Sequence, residues 1–156
     1  MRARFGLSTV ILALLLAMLP AAAGAAGPTV ANGGGRGTLD GAAPFSQFGF
    51  GVTVRPDGAV QGHFECLMAG ASAVPGLRVM AMSGRVSSAS VLGEAATFEG
   101  VGTLNMGDQG RIEGERFRVS VKAGGPGTGM LQLILLEPLA MALPPETVLN
   151  GRIDIH

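Results

Sequence analysis

The sequence predicts an all-β fold, an antiparallel meander of about eight strands curled into a small barrel, with a two-sheet β-sandwich as the alternative. Three observations predict it. Past residue 26, apolar residues recur at every second position through most runs. Glycine-rich punctuation separates those runs, and no convincing helical period interrupts them. Glycine within the strands favours strong curling, and a sheet that closes on itself protects its edges.

The chain opens with Arg2 and Arg4, continues through an apolar run from Phe5 to Pro20, and reaches the small residues Ala21 to Ala26. Charge, then grease, then small residues is the order of a secretory signal peptide, and the apolar run is short for a membrane span. Residues 1–26 are therefore read as a leader and 27–156 as a single all-β domain.

In that domain, Asn32 to Gly37 permits turns or close backbone approach and leads into Thr38-Leu39. Phe48, Phe50, Val52 and Val54 alternate with small or polar residues, which reads as a half-buried strand. Arg55-Pro56-Asp57-Gly58 turns the chain, because Pro presets φ and Gly accepts a positive one. The return strand puts Val60, Phe64 and Cys66 inward and Gln61, His63 and Glu65 outward. After a small-residue loop from Gly70 to Gly76, Leu77 to Met82 begins a strand whose pattern resumes from Arg85 to Leu92.

Gly93-Glu94 turns into Ala95 to Leu104, where Phe98 and Leu104 share a face with Gly100 and Gly102 between them, a place for a bend or bulge. Met106 to Gly110 is a turn, and Glu115 to Lys122 points Phe117, Val119 and Val121 inward. Ala123 to Gly129 reads as pure loop. Met130 to Leu136 is apolar on both faces apart from Gln132, so it is either a covered strand or a partner surface for a homo-oligomer. Pro138, Pro144 and Pro145 break the next stretch, and a last strand places Leu149, Ile153 and Ile155 on one side.

A domain of about 130 residues buries roughly two-thirds of its unfolded surface and needs no staple. None is available, since Cys66 is the only cysteine, and a buried, inert thiol is the expectation. The whole chain carries 11 Lys+Arg and 11 Asp+Glu; loss of Arg2 and Arg4 leaves nine against eleven, near −2. Without a basic stripe, nucleic-acid binding is excluded. The absence of Trp and Tyr argues against a stacking platform for sugars.

Catalytic constellations are sparse. Only His63 and His156 could serve as the usual base, and Ser46, Ser83, Ser87, Ser88, Ser90 and Ser120 lack a nucleophile-elbow context. His63 and Cys66 face opposite sides of a strand, so one metal cannot take both. Met80 and Met82 share a face, which suits either core packing or soft Cu(I), and packing is the simpler reading. Glu113 and Glu115, expected on one strand face, and the pair Glu65 and Glu99 read as charged surface. Gly33-Gly34-Gly35 lacks the Gly-Lys-Ser/Thr of a phosphate loop.

Four segments carry a family resemblance: Asn32 to Gly35; Phe48-Gly49-Phe50 with Gly62-His63-Phe64 around the Pro-Asp-Gly turn; Ala95 to Thr103; and Asn150 to His156. Together they resemble the bacterial post-COAP (post choice-of-anchor) module of exported surface proteins. The resemblance implies an all-β extracellular module without assigned activity or catalytic residues. The chain departs from it at Ala123 to Gly129, where similar modules carry Asp, Asn or Glu, so no calcium cage is carried over.

The expectation is thus an exported, non-enzymatic β-domain for surface recognition or structural support, located in the periplasm, on the cell surface or outside the cell. It assigns no catalytic residue, cofactor or metal, and no membrane span after the leader is cleaved. The rival is a small barrel that binds an apolar ligand, with isomerase or lyase chemistry in its lumen.

Overall fold

The computed structural model describes residues 27–69 and 76–156. The expected leader over 1–26, and residues 70–75 of the loop from Gly70 to Gly76, lie outside them. The described residues form β1 (Thr29–Thr38), β2 (Ser46–Val54), β3 (Val60–Ala69), β4 (Val79–Leu92), β5 (Ala95–Asn105), β6 (Arg111–Lys122), β7 (Met130–Glu137), the two-residue β8 (Met141–Ala142) and β9 (Glu146–Ile155). A single 3₁₀ turn at Gly107–Gln109 is the only helical element among them, inside the expected turn from Met106 to Gly110.

Each strand from β1 to β7 pairs antiparallel with the next. β9 then returns to pair with β1 along most of its length and with β7 at Met130↔Thr147 and Leu131↔Glu146. The result is one continuous sheet that closes into a ring, a small antiparallel barrel rather than two stacked sheets. Closure leaves no long unpaired edge for another chain to extend.

The segment from Ala123 to Gly129, read as a loop, completes that closure. Gly124 exchanges both backbone hydrogen bonds with Ile153 (2.9 and 3.0 Å), Gly127 N–H donates to the Val148 carbonyl (2.9 Å), and Val148 N–H donates to that of Gly129 (2.8 Å). Side chains would forbid so tight a fit: a Cβ at Gly129 would lie 2.5 Å from the Gly124 oxygen. The glycine run Asn32 to Gly37 is likewise strand, not turn, and its missing side chains admit the Phe50 ring beside Gly33.

Alternation decides which side chains enter the barrel. Phe48 and Phe50 on β2 lie opposite Cys66 and Phe64 on β3, Val52 and Met68 extend the same buried set, and Gln61, His63 and Glu65 point outward as expected. β4 runs unbroken through Gly84, which leaves room for Phe117; a Cβ there would sit 2.5 Å from the ring. Gly100 on β5 gives way to the same ring. Five phenylalanines form a continuous spine, with centroid separations of 6.5 Å (Phe48–Phe50), 5.3 Å (Phe50–Phe98), 6.1 Å (Phe98–Phe64) and 5.5 Å (Phe64–Phe117). Such pairs contribute about 0.5–1.5 kcal/mol each beyond their buried area. Leu131, Leu133 and Leu135 of β7 and Leu104 of β5 fill the remaining space. An eight-stranded barrel is about wide enough for side chains alone to fill it.

Two phase changes correct the alternation read from sequence. Gly114, with φ of 76°, is an extra residue on β6, since Gly102 pairs with Glu115 but the next residue, Thr103, pairs with Glu113. Glu113 consequently stays on the surface while Glu115 turns inward in step with Phe117. On β9 a register shift against Arg36/Gly37 puts Val148 inside and leaves Leu149 half-buried on the other face. Ile153 is buried as expected, and Ile155 packs at the edge of the core.

Candidate functional site

The polar side chains buried among the described residues are Thr38, Ser46, Glu115 and Glu146. Three of them meet where β1, β2 and β9 begin or end at one rim of the barrel. The local sequence builds this corner tightly. Thr38 Oγ1 donates to the Ala43 carbonyl (2.7 Å) and accepts from Gly41 N–H (3.0 Å), while Asp40 Oδ1 accepts from the Ala42 (2.9 Å) and Ala43 (3.2 Å) amides. Those amides, with the Thr38 hydroxyl, hold the Asp40 carboxyl below its ordinary range. Phe45 N–H then donates to the Gly37 carbonyl (2.7 Å), which sets Ser46 at the start of β2 directly across from Gly37.

Ser46 Oγ donates a buried hydrogen bond to Glu146 Oε2. The carboxylate occupies space that only glycine leaves free, because a Cβ on Gly37 would lie 2.0 Å from that oxygen. Burial pushes the Glu146 carboxyl up to about 7, although the Ser46 hydroxyl favours the ionised form. Cys66 lies in the same interior region. Burial, then the charge of Glu146, pushes its thiol up to about 12, partly offset by hydrogen bonding with Ser46. At neutral pH Cys66 is therefore a protonated thiol, a poor nucleophile. Outside this corner, a groove of about 310 Å³ runs along the rim beside Ser46, lined by Arg36, Phe45 and Leu67 among others.

Glu115 is a second buried carboxylate, and neither of its oxygens has a hydrogen-bond partner among the described residues. Burial pushes its carboxyl up, and the Leu139 backbone offsets only part of that shift.

The residues weighed from sequence mostly stay apart. His63 is exposed on the outer face across from Arg85, and His156 is exposed at the end of β9. Glu65 lies level with Ser83 on β4, while Glu99 lies level with Ser88 and is paired to Arg118 at 2.6 Å. Glu113 joins Arg111 at 2.6 Å on the surface. Met80 and Met82 do share the inner face, fully buried. No three His, Cys, Asp or Glu side chains converge as metal ligands among the described residues. Sequence reasoning missed Ser46 with Glu146, and Glu115. The available signal for Glu115 was its place two residues before Phe117, in phase with the inward set; no local signal marked Glu146.

Compared with known families, with curated proteins and with solved structures, the chain gives no match. No helix among the described residues is long and apolar enough to cross a membrane.

Proposed function

We propose that the chain is an exported, non-enzymatic β-barrel module that works through its outer surface, as a recognition domain or a structural accessory. The observation that carries this reading is the filled interior: the phenylalanine spine and the leucines of β7 occupy the space a ligand would need. Concavities of about 450 and 520 Å³ open instead on the outer face, over Glu65 and Ser83 and over His63 and Arg85. The leader over residues 1–26 and the post-COAP resemblance belong to the same proposal. So does self-association through β7, whose outward Met130 is 41% exposed; light scattering decides that part, and a strict monomer ends it.

A panel of hydrolase, isomerase and lyase substrates tests the reading, with no turnover expected. Turnover that disappears in Glu146→Gln would replace it with the second reading, a barrel that takes an apolar ligand and performs isomerase or lyase chemistry. One observation favours that rival: a buried carboxylate, hydrogen-bonded by Ser46, stands behind the rim groove. Export is tested separately by the intact mass of secreted protein, which should lack the first 26 or so residues.

A further inference from the structure

We propose that Cys66, Met68, Met80 and Met82 form a Cu(I) site inside the barrel. Cys66 and Met82 are direct cross-strand partners, and so are Met68 and Met80, two residues further along the same pair of strands. All four face inward and are at most 2% exposed. Cross-strand partners have Cβ atoms about 4.5–5.5 Å apart, and methionine has three rotatable bonds, so these side chains can bring their sulfurs to one point.

Volume alone does not require sulfur there. On β7 the corresponding inward positions are Leu131, Leu133 and Leu135, so this chain fills its core with leucine where only packing is at stake. The sulfur is concentrated on two adjacent strands. A fifth sulfur lies nearer the surface: Met106 follows Asn105, the partner of Ala81, which brings it level with Met80 at the end of β5. Met106 is half-buried and lines an open concavity of about 260 Å³.

Thioether and thiolate sulfur select Cu(I) over harder ions. Charge balance favours the same metal. One thiolate and three neutral thioethers around Cu(I) make a complex of zero net charge, the least costly to bury. In the binding step the Cys66 S–H bond breaks, a copper–sulfur bond forms, and the proton leaves to solvent. No electron is transferred, because copper arrives as Cu(I).

The test is anaerobic titration of the purified protein with a coloured Cu(I) chelate. Withdrawal of stoichiometric copper is expected, with sulfur as the only ligand atom in the copper X-ray absorption spectrum. Cys66→Ser and the double variant Met80→Leu, Met82→Leu should each weaken binding by at least about 10-fold to 100-fold, the range that even changes beyond the ligands themselves cost. Met130→Leu, outside the cluster, should leave it unchanged. Failure to withdraw copper, nitrogen or oxygen ligation, or equal affinity in the Met80/Met82 variant would each overturn the proposal. Because the spectrum is taken on the unaltered protein, the test survives a variant that does not fold.

Discussion

Ser46 and Glu146, one hundred residues apart in the chain, share a buried hydrogen bond that joins the start of β2 to the start of β9 across the end of β1. The contact sits beside the short β7–β9 pairing that closes the ring, since Glu146 is itself the partner of Leu131. Its protonation is therefore coupled to the integrity of the closure.

The first expected consequence is a stability that falls as pH rises. A free glutamate ionises near 4.5, whereas Glu146 in the fold does so at about 7. Between those values the native state keeps a proton the unfolded chain has lost. Stability is thus fullest below 4.5, declines towards 7 and levels off above it. The gap corresponds to about 3 kcal/mol. Urea unfolding from pH 5 to 8 should show the decline, and Glu146→Gln should flatten most of it. A profile equally steep in both proteins would refute the assignment.

Glu115 contributes in the same direction, because the Leu139 backbone offsets only part of its burial. Glu115→Met keeps the volume and removes the unsatisfied carboxylate, and should stabilise the protein at pH 7 by about 1–3 kcal/mol. A lower denaturation midpoint in this variant would mean that the carboxylate has a ligand or partner in solution.

Gly100 and Gly49 make a matched pair. A Cβ at Gly100 would lie 2.0 Å from the Arg85 carbonyl oxygen and 2.7 Å from the Phe117 ring, whereas nothing lies within 4 Å at Gly49. Gly100→Ala should cost about 1–3 kcal/mol or more from overpacking, and Gly49→Ala should be neutral or gain about 0.5 kcal/mol from reduced backbone freedom. Thermal melts of the two variants side by side give the comparison.

Phe98 touches both Phe50 and Phe64 and so links the two halves of the aromatic spine. Phe98→Ala should cost about 3–5 kcal/mol, the usual loss for a buried phenylalanine. A cost under about 1 kcal/mol, read from chemical denaturation, would mean that the centre of the barrel collapses around the gap.

Much of the barrel was legible in the sequence because period two is a local signal. The hairpin around Pro56-Asp57-Gly58 and the inward sets Phe64/Cys66 and Phe117/Val119/Val121 follow from alternation within one or two strands. What alternation does not carry is its own resetting. One inserted glycine at 114 puts Glu113 on the surface while Glu115 keeps the inward phase of Phe117, and the shift on β9 exchanges Leu149 for Val148. Glu146, after Pro144-Pro145, looks like an ordinary surface acid. Only the ring closure, which joins residues about a hundred positions apart, puts it beside Ser46 and Gly37. The segment from Gly124 to Gly129 was illegible for a related reason: the bonds that tie it to β9 are all backbone, so its side chains give no pattern.

β1 and β9 lie side by side and antiparallel, with Val30 and His156 exchanging backbone hydrogen bonds at 2.6 and 2.9 Å. A tension applied between Thr29 and Ile155 would therefore load that ladder in the peeling direction, one rung at a time, rather than shearing all rungs together. The barrel resists heat through its whole interior, but a pull on that pair of strands would meet only a single rung at any moment.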